Sequence, residues 1–251
     1  MIQDSHDWKR NFYENGGYHA LIYYVIYGKF DTSNVNVSQA KYRTEGLPEG
    51  FSFRKLDRNR RAVLPFTDGD FARHLRSSEL LEQIQHAPEC LVLHGEIPDP
   101  PDLNYLRNSI GLVTYFLDNG GVALCDPQQL AFYDRGQWHN EFFEDGKPHV
   151  SKHATILCSD GPDGRWYHTR GLRKFARPDI SIRSVPPEYC EPVIELCRRF
   201  IEMQALGAQI EEGREIQMAS LPSGLICHHR GSLEDPEFNN VHIEICWPEM
   251  K

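Results

Sequence analysis

The chain has 251 residues, 40% hydrophobic and 25% charged, which fits one large domain or two small ones with a sizeable core and excludes the disordered classes. Its formal net charge of -9 argues against general nucleic-acid binding, which goes with a basic surface. No stretch approaches the ~18 consecutive apolar residues of a membrane span, and the opening Met-Ile-Gln-Asp-Ser-His-Asp-Trp has no basic region followed by an apolar one, so neither membrane nor secretion is expected.

In chain order, a short helix is predicted around Asp7 to Glu14, then a Tyr-rich strand from Leu21 to Tyr27. Gly46-Leu-Pro-Glu-Gly50 reads as a turn, and Phe51 and Phe53 alternate with polar residues as in a half-buried strand. Arg54 to Arg61 is a solvated basic turn, Ala62 to Phe66 another strand, and Asp70 to Gln85 a helix. Cys90 to His94 is a continuous apolar run of strand length. Asp102 stands where it can cap a helix, in which Leu103, Leu106, Ile110, Val113 and Leu117 recur every three or four residues. Asn119-Gly120-Gly121 ends that helix, because glycine tolerates the left-handed conformation, and Val122 to Cys125 is the next short strand.

In the second half, Lys152 to Cys158 and Arg165 to Thr169 read as a hairpin through Asp160-Gly-Pro-Asp-Gly164. Ile180 and Ile182 lie in a strand, and Pro186-Pro187 opens a helix with the face Tyr189, Val193, Leu196, Cys197, Phe200, Ile201 and Met203, closed by Gly207. Strands near Glu215 to Ala219, Leu225 to His229 and Val241 to Trp247 follow. Short strands with helices set singly between them predict an α+β fold, with mixed or antiparallel sheets and single helices packed on one face. A single compact unit over 1–251 is expected, with 1–88 as a separate N-terminal lobe in the alternative.

Seven cysteines, Cys90, Cys125, Cys158, Cys190, Cys197, Cys227 and Cys246, are an odd number, widely spread and mostly beside apolar residues. That pattern suits reduced thiols in a cytoplasm rather than a disulfide framework, and with no Cys-x-x-Cys a cysteine zinc site is not expected. The nucleophile elbow, P-loop, dinucleotide fingerprint and His-Glu-x-x-His are all missing, so no cofactor is expected. The histidines show no metal-ligand spacing. His149 and His153 sit in what reads as strand, His228 and His229 point to opposite faces, and a site would have to gather His168, His228, His242 and Glu244 from separate strands. No metal is expected.

The segment with the strongest functional signal runs from Arg165 to Arg183. Six basic residues (Arg165, Arg170, Arg173, Lys174, Arg177 and Arg183) meet three acids (Asp160, Asp163 and Asp179) over 160–183. From 186 to 251 the balance reverses, with twelve Glu or Asp against five Lys or Arg. A basic insert in an acidic body can bind phosphate, carboxylate or an acidic partner. His168, Thr169, Arg170, Arg173, Lys174, Arg177 and Asp179 are the candidate ligand- or partner-binding residues. The bland alternative is that these arginines pair with the protein's own carboxylates and brace the fold.

Asp118-Asn-Gly-Gly-Val-Ala-Leu-Cys-Asp126 with Trp138, followed by Thr169-Arg-Gly-Leu-Arg-Lys-Phe-Ala-Arg-Pro-Asp179, resembles a family of uncharacterised bacterial proteins. Those share a Gly-Gly-x(4)-Asp…Trp element and a Thr-Arg-Gly-Leu-x-Lys-Phe-Gly-x-Pro-Asp element. The resemblance covers about residues 90–210 and implies a bacterial cytoplasmic α/β fold with no assigned activity. Ala176 stands where the element has glycine, which argues against a left-handed requirement at that turn.

Two functions fit these residues. The first is a binding or interaction protein in the style of immunity or adaptor proteins, with another protein or a small anion as partner. The second is an enzyme for a small phosphorylated or acidic substrate, with Arg170, Arg173 and Arg177 as anion clamp and His168 as acid or base. Oligomeric state leaves no trace in the sequence.

Overall fold

Eleven strands in two sheets and three helices longer than two turns make up the described part of an α+β chain. The computed structural model describes residues 7–33, 35–60, 64–67 and 78–247. Of the predicted Ala62–Phe66 strand, Ala62 and Val63 lie outside the described residues and Leu64 to Phe66 form a turn rather than a strand, while the first half of the predicted 70–85 helix lies outside the described residues. By its contacts the chain divides into two compact units that exchange short segments.

The first unit comprises 1–9, 21–97 and 102–149. Its sheet has the order β2-β3-β1-β4-β5, formed by β1 (His19–Gly28), β2 (Phe51–Asp57), β3 (Glu89–Pro98), β4 (Gly121–Asp126) and β5 (Ala131–Asp134). The apolar run of β1 takes the centre, where both faces are covered and every second residue need not be polar. Helix α1 (Ser78–His86) places Leu80 and Ile84 in a cluster with Val25, Tyr27, Cys90, Val92, Ala123 and Cys125. Helix α2 (Asn104–Asp118) is buried almost all round rather than along one stripe, and Phe116 meets Phe30 and Phe53 edge-on. Asp102 accepts from the Asn104 amide at 2.9 Å. Past the helix, Gly120 takes φ +110, where a Cβ would stand 2.1 Å from the Lys29 carbonyl oxygen. Residues 7–14 are not helical. Trp8 and Lys9 pair instead with Leu103 and Asp102, and 10–14 belong to the other unit.

The second unit comprises 10–20, 98–101 and 150–251. Its mixed sheet has the order β6-β7-β8-β11-β10-β9, from β6 (Thr155–Gly161), β7 (Gly164–Arg170), β8 (Asp179–Val185), β9 (Glu215–Ile216), β10 (Leu225–Arg230) and β11 (His242–Cys246). Only β8 and β11 run parallel. The predicted hairpin is β6–β7. The stretch Val150–His153 that precedes it is a 3-10 turn and not strand. Helix α3 (Cys190–Ala205) packs on this sheet and buries Val193, Leu196, Cys197, Phe200, Ile201 and Gln204. Met203 lies out of phase with that face and is 44% exposed. Gln204 is turned inward, donating to the Pro178 carbonyl at 3.3 Å.

Candidate recognition surface

Strand alternation sorts the residues of the second sheet. Ile180, Ile182, Leu225, Cys227, Ile243 and Ile245 are fully buried, and the residues between them carry the polar chemistry. In register, His168 faces Ser181, Ser181 faces Glu244, and Glu244 faces His228, so four polar side chains form one row across β7, β8, β11 and β10. A neighbouring row runs from Asp179 through His242 to Arg230.

Within the first row, Trp166 Nε1 donates to Ser181 Oγ at 3.0 Å, and Ser181 bonds Glu244. Burial raises the Glu244 carboxyl, and the Ser181 bond opposes that rise. The His168 ring stacks on Trp166 at 4.1 Å and 21°. Phe238 meets His168 edge-on at 5.5 Å and stacks on His242 at 4.2 Å. Burial, followed by the charges of Arg170 and Arg183 and by His242, pushes His168 down to about 4. Burial likewise lowers His242. Both rings are therefore neutral at pH 7 and sit in an aromatic stack, and the buried Nδ1 atom of each has no hydrogen-bond partner. Among the described residues no group of three or more His, Cys, Asp or Glu has metal-binding geometry.

The predicted residues divide by depth. Arg177 is buried and uses all five of its N–H donors: on Asp99 Oδ2 at 2.7 Å and on the carbonyls of Glu14, Ala176, Gly207 and Ala208. Arg10 mirrors it on Asp99 Oδ1 at 2.7 Å and on the carbonyls of Pro100, Phe175, Gln204 and Ala205. No donor of Arg177 is left for a ligand. Lys174 is buried and donates to the His153 carbonyl at 2.9 Å. Asp179 is buried and accepts from Thr169 Oγ1, the Leu172 amide and Asn240 Nδ2. Burial pushes its carboxyl up to about 6 against those three bonds. Thr169 Oγ1 in turn accepts from the Ile180 amide at 2.9 Å, joining β7 to β8. Arg170 and Arg173 donate to the main chain of the 231–240 loop, at Glu237 and at Asn239 (3.1 Å). Gly171 and Ala176 bracket this segment at φ +114 and +53. The left-handed turn is thus present although alanine fills it, a correction to the sequence expectation.

What faces solvent is a different subset. Arg183 lies 4.0 Å above the Trp166 ring, 54% exposed, with Glu237 at 3.5 Å, and Arg165 is similarly open beside Asp160. A cleft of about 790 Å³ lined by Leu196, Phe200, Met203, Ile216 and Met218 takes no residue from 165–183. Sequence reasoning counted Arg183 among the strip's charges and left Trp166, Phe238 and Asp99 without a role. The signal for the sheet residues was present: Ser181 and Arg183 on β8, and His242 and Glu244 on β11, alternate with isoleucines. Comparison with protein-family models, curated proteins and solved structures finds no match.

Proposed function

We propose that this chain is a cytoplasmic binding protein, of the bacterial family its Gly-Gly and Thr-Arg-Gly elements resemble. It recognises an acidic protein face or small anion through the solvent side of the 165–183 segment. The observation that carries this reading is the Arg183–Trp166 stack. A guanidinium laid on an indole is held in one orientation, and Arg183 keeps 54% of its side chain exposed with only a long 3.5 Å contact to Glu237, which an incoming carboxylate would displace. Arg165, half exposed on the neighbouring strand beside Asp160 and Cys190, adds a second cation to the segment. The buried members, Lys174, Arg177, Thr169 and Asp179, support the platform from below, and Arg170 and Arg173 hold the loop that carries Phe238. His168, closed between Trp166 and Phe238, serves the stack.

Fluorescence anisotropy of a labelled Glu/Asp-rich decapeptide, with inorganic phosphate as competitor, tests this. Binding should weaken from 50 to 500 mM salt, since screening acts within a Debye length of about 8 Å at physiological strength. Arg183→Ala with Arg165→Ala should abolish it and leave the melting temperature unchanged. Equal binding by wild type and the double variant, or none at low salt, would end this reading.

A further inference from the structure

We propose that Cys158 and Cys190 form a thiol pair oxidised by hydrogen peroxide to a disulfide. Cys158 on β6 is the direct cross-strand partner of Tyr167 on β7, and Cys190 is the first residue of α3. The Tyr167 hydroxyl lies against both sulfurs and against Arg165, and Arg165 Nη1 approaches Cys190 Sγ at 3.8 Å. Cys158 is exposed and Cys190 partly so. The Cys190 sulfur therefore meets a guanidinium, a phenolic hydroxyl and the Pro186 carbonyl, and sits in the first turn of a 16-residue helix. A second thiol, reached by the same hydroxyl, stands ready to resolve the product.

The other five cysteines lack this setting. Cys90, Cys125, Cys197 and Cys227 are buried, and Cys246, although exposed, has its thiol raised by burial and by Glu244. In the first step the Cys190 thiolate attacks one peroxide oxygen. The O–O bond breaks, and the departing hydroxide takes a proton to become water, leaving a sulfenic acid. In the second, the Cys158 thiolate attacks the sulfenyl sulfur, the S–O bond breaks, and the hydroxyl leaves with a proton as a second water. Two thiols lose two electrons and the peroxide gains them. A cytoplasmic thiol pool reverses the bond by exchange.

The experiment uses the full chain. It is treated with one equivalent of hydrogen peroxide, blocked with N-ethylmaleimide in denaturant, and digested with trypsin and a glutamyl protease. Cleavage at Glu195 separates Cys190 from Cys197. A linked pair of peptides carrying Cys158 and Cys190, 2 mass units below the sum of the thiols, is expected, with Cys246 still alkylated. Cys158→Ser should accumulate a dimedone adduct on Cys190, and Arg165→Ala should slow formation of the linked peptide severalfold. Oxidation divided between Cys158 and Cys246 with no linked peptide would overturn the proposal, as would peroxide consumption by Cys190→Ser at the wild-type rate. The wild-type arm needs no variant to fold.

Discussion

Two aspartates, one in each unit, gather several cations and illustrate opposite physics. Asp99 sits with Arg10 and Arg177, all three side chains about 1% exposed or less, and every guanidinium N–H is bonded. Asp118, at the end of α2, collects Lys41 at 3.5 Å, Arg135 at 2.8 Å and His139 at 3.1 Å, with the Tyr42 hydroxyl at 3.1 Å. Lys41 is 63% and Arg135 58% exposed. Burial works to raise the Asp118 carboxyl, but the bonds from His139 and Tyr42 and the charge of Arg135 hold it below its usual range. A carboxylate between buried guanidiniums is indispensable once the fold exists, because removing it strands two charges. A carboxylate ringed by solvated cations is replaceable by water and salt.

Replacing each aspartate by alanine breaks or upholds this comparison. Asp99→Ala should cost on the order of 3–5 kcal/mol or more in urea unfolding. Salt should rescue little of it, because the site is closed to solvent. Equal losses for Asp99→Ala and Asp118→Ala would refute the contrast. Ile110→Ala sets the scale of apolar packing in the first unit: Ile110 is 2% exposed, so about 2–5 kcal/mol is expected. A loss under about 0.5 kcal/mol would mean that α2 does not need that side chain.

The pH dependence sharpens the lesson about burial, because two groups of the second sheet act with opposite sign. His168 falls from 6.5 to about 4 on folding, so the unfolded chain binds more protons between those values and stability drops as pH falls through them. Asp179 rises from 3.8 to about 6, so the folded chain holds the extra proton and stability increases as pH falls from 6 to 3.8. The two should nearly cancel in wild type. His168→Asn removes one of them, and its melting temperature should rise relative to wild type as pH goes from 6 to 4. Parallel pH profiles for the two proteins would disprove the assignment.

Asp118→Ala should cost about 0–1 kcal/mol, less at 1 M salt. The smallest effect is expected at Ala176. Glycine there relieves a left-handed backbone worth roughly 1–2 kcal/mol, but it forfeits a buried methyl worth ~0.8 kcal/mol and adds unfolded-state freedom. Ala176→Gly should therefore move stability by under about 0.5 kcal/mol in thermal melts, and Ala176→Val should be clearly destabilising.

Local order was legible where a period was. The three- and four-residue spacing of α3 marked Val193, Leu196, Cys197, Phe200 and Ile201 but took in the exposed Met203 and missed Gln204 and Ala205, and the alternation of β8, β10 and β11 marked the sheet. The hairpin β6–β7 followed from its Gly-Pro-Asp-Gly turn. The fate of Arg177 was not legible, for a physical reason. Its acceptors are one carboxylate 78 residues away and four carbonyls, and a carbonyl is carried by every residue, so no side-chain pattern announces it. The strip's charge was readable, but not the division between members that hold the fold and members that face solvent. That division depends on which strand neighbours which.

The reach of Arg10 has a consequence for the chain as it is made. Arg10 must find the carbonyl of Ala205, 195 residues downstream. At ~5–20 residues per second, the nascent segment waits about 10–40 s after leaving the ribosome before its last acceptors emerge. Until residue 177 emerges Asp99 has at most one of its two arginines, and Arg10 still lacks the carbonyls of Gln204 and Ala205. Vectorial synthesis therefore cannot complete the second unit piecemeal. A chain stalled before residue 205 carries the N-terminal segment, the carboxylate and even Arg177, yet leaves the knot of carbonyls that closes them untied.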